Sequence, residues 1–252
     1  MPVELEAVEM SREDSIAWLT IDRVEKHNAL SLQVIEDLIT AVEAVHEDDH
    51  SRVIVVRGDG KKAFSAGADI SEFAERDASE QLHYNRRLGD LCELLDTGPV
   101  PTIAGVNGVA FGGGAELLLS CDIRVASTNG SFSEAEINVG VVPMAKRLID
   151  LVGYGVAAEL CLTGRTVDAD EAADLKIFNR VVEPGDLDEA IREMADSIIE
   201  KTSPSVELTK ETLVAARDNP TREANVHQLV NFHQAFETDE AQDRIQAFLN
   251  RK

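Results

Sequence analysis

Short apolar runs that stop at glycine-rich turns and restart as amphipathic helices recur along this chain. That order restricts it to an α/β fold with its irregular turns at strand ends. Two of the turns carry a carboxylate as well: Phe64-Ser65-Ala66-Gly67-Ala68-Asp69-Ile70, and Asn107-Gly108-Val109-Ala110-Phe111-Gly112-Gly113-Gly114-Ala115-Glu116. Each lies where a strand-like run gives way to a helical pattern, so each can aim free main-chain N–H groups into one space. Two such donors from separate turns make an oxyanion hole, which stabilises a carbonyl oxygen as it becomes an enolate or alkoxide. A third segment, Phe132-Ser133-Glu134-Ala135-Glu136-Ile137, supplies further carboxylates. Together these stretches point to an enzyme acting next to a carbonyl.

The coarse element order follows from periodicity. Val3–Met10 and Ser15–Asp22 read as strands joined by a charged turn, Ser11-Arg12-Glu13-Asp14. Ser31 is placed to cap a helix whose apolar face is Val34, Ile35, Leu38, Ile39, Val42 and Val45. Val53–Arg57, Thr102–Val106, Asp122–Ala126 and Ser131–Ser133 read as strands, and one helix is predicted from about Ser71 to Leu95. From about Pro143 the pattern turns mostly helical, with one strand candidate at Asn179–Glu183. Val226, Leu229, Val230, His233 and Phe236 form one stripe, and Ile245 with Phe248 another; both read as packing surface. No repeat, low-complexity run or linker interrupts the chain. It divides into an α/β core over residues 1–190 and a helical extension of the same domain over 191–252.

Composition excludes several function classes. No apolar run approaches the ~20 residues that span a bilayer. The opening Met-Pro-Val-Glu-Leu-Glu lacks the basic and apolar stretches of a signal peptide, so a cytoplasmic location is expected. Cys92, Cys121 and Cys161 are far apart and unpaired in CxxC fashion, reading as reduced core thiols. The six histidines show no ligand spacing, so no metal is expected. There are 47 acidic residues against 24 basic ones, a net charge of −23, with 16 Arg against 8 Lys. Such a surface disfavours nucleic acid and anionic membrane. It also suits high salt, where cations screen the repulsion between carboxylates.

The chain resembles the enoyl-CoA hydratase/isomerase (crotonase) superfamily over essentially its whole length. The matching residues are Arg23-Val24-Glu25-Lys26-His27-Asn28-Ala29-Leu30, Phe64–Ile70, Val106–Glu116, Cys121-Asp122, Phe132–Gly140 with Pro143, and Gly164-Arg165 followed by Asp170-Glu171-Ala172. None is specific alone; their order and spacing together are. The resemblance implies a spiral of repeated strand–strand–helix units with a C-terminal helical trimerisation region, assembled as a homotrimer or a dimer of trimers. It implies an acyl-CoA substrate, an enolate-like intermediate and no cofactor beyond the coenzyme A of the substrate. The oxyanion hole carries over to the backbone N–H groups of Ala68 and Gly113, and the catalytic carboxylates to Glu116 and Glu136. Glu116 would position and activate water, while Glu136 would handle the C2 proton; Glu134, two residues away, is set aside by the motif match.

On the CoA side the resemblance implies contacts at Lys26, at the backbone of Ala29 and Ala66, and in the same turn at Asp69 and Ile70. Phe248 and Arg251 resemble the aromatic–basic pair that closes over the nucleotide, sometimes from a neighbouring subunit. Two departures stand out. After Gly140-Val141-Val142-Pro143, Met144-Ala145-Lys146 leads directly to Arg147-Leu148, where relatives have a longer glycine-rich loop. Lys176 stands where relatives commonly end a helix in glycine, which costs stability if that turn needs φ > 0. Other readings are an enoyl-CoA isomerase using Glu136 alone, or a silent scaffold or RNA-binding member, which would need a basic patch.

Overall fold

The computed structural model describes residues 4–48 and 50–250. Strands β1 (Val8–Glu13) and β2 (Ile16–Ile21) form an antiparallel hairpin with Glu13 opposite Ile16. The turn is therefore Asp14-Ser15, both at positive φ (48° and 67°), and not the four-residue turn predicted upstream. Two consecutive left-handed residues suit the right-handed twist of a two-residue hairpin. Ser11, Arg12 and Glu13 looked like turn residues but lie on the outer strand of the sheet, where charge discourages edge-to-edge pairing.

A 3₁₀ turn (Val24–Lys26) leads to helix α1 (Leu32–His46), capped by Ser31, whose hydroxyl accepts from the Val34 N–H at 3.2 Å. Three similar passes follow. Strands β3 (Val53–Gly58) and β4 (Ala63–Ser65) precede helices α2 (Ile70–Glu75) and α3 (Ala78–Thr97). Strands β5 (Thr102–Val106) and β6 (Val109–Phe111) precede α4 (Gly113–Leu119). Strands β7 (Ile123–Ser127) and β8 (Ser131–Ser133) precede a second 3₁₀ helix, Ala135–Val139. Each pass gives its first strand to a six-stranded sheet and its second to a four-stranded one. Consecutive passes pair in parallel in both sheets, β3·β5·β7 and β4·β6·β8, so the chain climbs as a spiral.

The single helix expected over Ser71–Leu95 is two helices, broken at Arg76-Asp77. Asp77 accepts from the N–H groups of Ser79 and Glu80, and Glu80 reaches back to the Asp77 N–H, a capping box that starts α3 afresh. That Asp-x-x-Glu signal was legible in the sequence.

Because side chains alternate across a strand, the large sheet feeds two cores. Ala17, Leu19, Ile54, Val56 and Ala104 face the main core with α1 and α3. Ile16, Trp18, Val55, Ile103 and Val125 face a second one, closed by Ala190, Ile191 and Ala195. Burial on both faces explains why these strands read as continuous apolar runs.

Helices α5 (Lys146–Val152) and α6 (Tyr154–Thr163) lead to β9 (Val167–Asp168), α7 (Ala169–Asp174) and β10 (Arg180–Val182). Lys176, just beyond α7, has φ +68°, the left-handed conformation that favours glycine. Lys176→Gly is expected to raise stability by about 0.5–1 kcal/mol, since relief of left-handed strain exceeds the extra freedom glycine brings to the unfolded chain. A melting temperature equal to or below the parent's would refute this.

Helix α8 (Leu187–Ile199) lies on the second core, so the boundary drawn between residues 190 and 191 falls inside it. Helices α9 (Ser203–Asp218), α10 (Thr221–Phe236) and α11 (Asp239–Leu249) complete the chain. Buried Lys210 anchors α9 to the body: its Nζ donates to the carbonyls of Leu95 (2.8 Å) and Val100 (3.1 Å) and pairs with Asp122 (2.8 Å). The stripe on α10 does not pack within the chain; Val226, Leu229, Val230 and Phe236 are exposed, as are Leu213, Phe232 and Phe248. Among the described residues, no helix is long and apolar enough to cross a membrane.

Candidate active site

The spiral brings three turns to one place. Strands β4, β6 and β8 are parallel neighbours, so the segments leaving their carboxyl ends converge on a cavity of ≈ 380 Å³. Ala66–Ala68 come from the first, Gly112, Gly113 and Glu116 from the second, and Ala135 and Glu136 from the third.

Gly67 adopts φ +93°, and a Cβ there would lie 2.6 Å from the Phe111 carbonyl oxygen, so only glycine lets these turns approach so closely. The Gly113 nitrogen lies 3.4 Å from the same point, and a Cβ on Gly113 would lie 3.8 Å from the Ala68 nitrogen. The two amides are thus near neighbours across β4 and β6. Gly113 is the first residue of α4, so its N–H has no acceptor in the helix. The Ala68 N–H likewise has no main-chain partner, while its neighbours are fixed: Leu30 donates to the Gly67 carbonyl and Asp69 donates to that of Leu30. Two free donors therefore border the same space.

The carboxyls are poised by burial. Glu116 is 1% exposed and lines the cavity, and its Oε1 makes no hydrogen bond among the described residues. Desolvation lifts it to about 7; Arg147 opposes that rise and Glu136 adds to it. Glu136, half-buried, is also raised, chiefly by desolvation. Its Oε1 lies 3.3 Å from where a Gly112 Cβ would be, and Gly112 has φ +53°, so any side chain there would strain the turn and press on the carboxylate.

Glu134, set aside by the motif match, is buried rather than a solvated surface charge. The segment turns into a 3₁₀ helix after Glu134 instead of staying extended, so Glu134 and Glu136 do not share a strand face. Glu134 is 0% exposed, neither of its carboxylate oxygens has a partner among the described residues, and it does not line the cavity. Burial, with Glu116 and Glu136 nearby, pushes it up to about 9. A carboxyl raised in this way keeps its full contribution to stability below its unfolded value. It loses that contribution as the pH rises, because the unfolded chain ionises first. Glu134→Gln, which mimics the neutral acid, is expected to leave the melting temperature near the parent's at pH 5. At pH 8.5 it should stabilise by several kcal/mol, because the unfolded carboxyl is then fully ionised while the folded one is still mostly neutral. Equal offsets at both pH values would show that Glu134 is not a neutral acid in the folded chain.

The residues expected to contact CoA divide. Ala66 and Ile70 line the cavity and are exposed, and Lys26 is exposed with its Nζ 3.4 Å from Ser71 Oγ. Ala29 is buried, its carbonyl accepting from Arg23 Nη1 at 2.8 Å. Asp69 is buried and does not line the cavity. Its carboxylate caps α2, pairs with Ser71 Oγ and with Arg23 Nη2 (2.8 Å), and these bonds hold it near 2. Its place is behind the Ala68 turn, which it braces through Arg23. Phe248 is 76% exposed on α11 and does not line this cavity; Arg251 lies outside the described residues.

Arg147 is the site neighbour that sequence reasoning missed. Its Nη1 lies 3.5 Å from Glu116 Oε2, a contact across 31 residues that depends on where α5 sits after the short Pro143 loop. All three cysteines are buried and free, and burial lifts Cys92 and Cys121 to about 12.

This spiral brings two free main-chain donors and two raised carboxyls to one cavity, a site suited to chemistry beside a carbonyl. A profile of the enoyl-CoA hydratase/isomerase family matches residues 11–252. The chain is 32% identical over 253 residues to a short-chain-enoyl-CoA hydratase of Clostridium acetobutylicum, covering 99% of this chain and 97% of that one. It is 31% identical over 250 residues to a crotonyl-CoA hydratase of Syntrophomonas wolfei, covering 98% and 96%. A crystal structure of an enoyl-CoA hydratase from Bacillus anthracis superposes with TM-score 0.95 at 29% identity, covering 98% of this chain and 97% of that one. The chain belongs to the enoyl-CoA hydratase/isomerase family.

Proposed function

We propose that this protein hydrates 2-enoyl-CoA thioesters to 3-hydroxyacyl-CoA. The observation that carries the reading is the meeting of two free main-chain donors, Ala68 and Gly113, with two cavity-lining carboxyls, Glu116 and Glu136. The thioester oxygen accepts from both N–H groups, which stabilise it as negative charge develops. Glu116 and Glu136 hold one water. Glu116 takes its proton as the oxygen attacks C3, and Glu136 delivers a proton to C2 as the enolate collapses. Hydration adds H and OH across the double bond, so nothing is oxidised and no further reactant is required. At neutral pH a pair of interacting, raised carboxyls can hold one proton between them, giving an acid and a base together. Glu116 lines the cavity, which favours hydratase over an isomerase that would need Glu136 alone.

The substrate's coenzyme A enters past Lys26 and the exposed backbone of Ala66. The proposed assembly is a homotrimer or dimer of trimers acting in the cytoplasm. The exposed apolar residues of α9–α11 support it, because such patches on a single chain mark contact surfaces. Loss of the conjugated absorbance of crotonyl-CoA and longer 2-enoyl-CoAs on incubation with the pure protein tests the activity; no loss with any of them would overturn it.

The charge of −23 leads to a separate expectation. At ~0.1 M salt the Debye length is about 10 Å and neighbouring carboxylates repel; at ~1 M it is about 3 Å and they barely do. Molar KCl should therefore raise the melting temperature and favour the oligomer, read by melting curves and sedimentation. Identical stability and assembly from low to molar salt would remove the case for a salt-adapted surface.

A further inference from the structure

Behind Glu116 runs a line of alternating charges that leads out of the site. Arg147 Nη1 lies 3.5 Å from Glu116 Oε2, and Arg147 Nε lies 3.5 Å from Asp96 Oδ2 near the end of α3. The other Asp96 oxygen, Oδ1, accepts from Arg217 Nη1 of α9 at 2.6 Å. Each member comes from a different helix: α4, α5, α3 and α9. Glu116 is buried at one end, and Arg217 is part-exposed on the C-terminal helical layer at the other.

We propose that Arg147 is a positioning residue for Glu116, and that the Asp96–Arg217 pair sets where Arg147 stands, coupling the site to α9. This rests on the proposed hydration chemistry for its kinetic consequence, though not for the contacts themselves. Arg147 divides its guanidinium between two carboxylates at equal distance, so its field at Glu116 depends on how strongly Asp96 holds it. Arg217 occupies one Asp96 oxygen. Without Arg217, that oxygen becomes available to a second Arg147 nitrogen, and the guanidinium shifts toward Asp96 in a fork-like pair. Glu116 would then lose part of the Arg147 field that favours its ionised form.

Other groups also act on Glu116. Glu136 from the 3₁₀ helix raises it, and Glu134 and Cys161 on α6 lie close enough to interact with it. Cys92 of α3 is a neighbour, though burial keeps its thiol neutral. None of these groups is a cation, so among the described residues removal of Arg147 has no cationic substitute.

The test is the pH dependence of kcat/KM for crotonyl-CoA in Arg147→Gln, Arg147→Lys and Arg217→Gln. Removing the cation raises the Glu116 value, so the acid limb in Arg147→Gln should move to higher pH by a unit or more. Neutral-pH kcat should fall about tenfold, KM change little, and activity recover as pH is raised. Arg147→Lys should restore part of the shift, and Arg217→Gln should show a smaller displacement in the same direction. An unmoved acid limb in folded Arg147→Gln overturns the proposal, as does an unmoved limb in Arg217→Gln. If Arg147→Gln does not fold, the Arg217→Gln profile decides alone. Infrared titration of the buried carboxyl band, assigned with Glu116→Gln, reads the same displacement without substrate. If the parent hydrates no 2-enoyl thioester, the activity reading falls while this titration still decides the coupling.

Discussion

Glu116→Gln and Glu136→Gln are each expected to lower kcat for hydration by roughly 10²–10⁴, the range for a positioned acid or base. Glutamine keeps the size and a hydrogen-bonding oxygen of each side chain but cannot exchange a proton. Glu116→Gln should also fold at least as well as the parent. It replaces a buried acid raised to about 7, whose ionisation in the unfolded chain opposes folding above its ordinary value. The double variant should lose less than the product of the single losses, because both groups serve one water. Glu134→Gln, altering a buried carboxyl outside the cavity, should leave kcat close to the parent's. Rapid hydration by Glu116→Gln would remove Glu116 from the chemistry.

Gly113→Pro is expected to lower kcat by about 10²–10³, the loss typical of one oxyanion donor. Proline deletes the N–H itself, and the position tolerates a Cβ. The first position of a helix tolerates proline, and a Cβ at Gly113 would meet Leu88 and Leu30 only at 3.4 Å and 3.5 Å. Gly113→Ala, which keeps the N–H, is the matched control and should retain most activity. Circular dichroism of both variants separates loss of the donor from loss of the fold. A folded Gly113→Pro protein with full activity would place the oxyanion donors elsewhere.

The strand pattern was legible because the inner strands are buried on both faces and so run apolar without interruption. The two glycine turns announced themselves because close approach and positive φ leave few residues to choose from. Edge strand β1 was misplaced: its outward charges imitate a turn, and nothing local distinguishes the two. Arg147 and the burial of Glu134 were not legible for a different reason. Both depend on how α5 and the 3₁₀ helix pack against distant parts of the chain, and a glutamate in so acidic a sequence carries no mark of being buried.

The spiral also acts as a ruler. Neighbouring strands in a sheet lie about 4.8 Å apart, so segments leaving β4, β6 and β8 are offset by roughly one and two such steps. Ala68 leaves the first rung, Gly113 and Glu116 the second, and Glu136 the third. On the proposed reading, the thioester oxygen rests between the first two rungs and the double bond lies toward the third. The distance from carbonyl to reacting carbons is then measured in strand spacings, which backbone hydrogen bonding holds fixed. Changes to the loops around the cavity can admit a different acyl tail while that spacing stays the same, so one scaffold can serve many thioesters without recalibrating its chemistry.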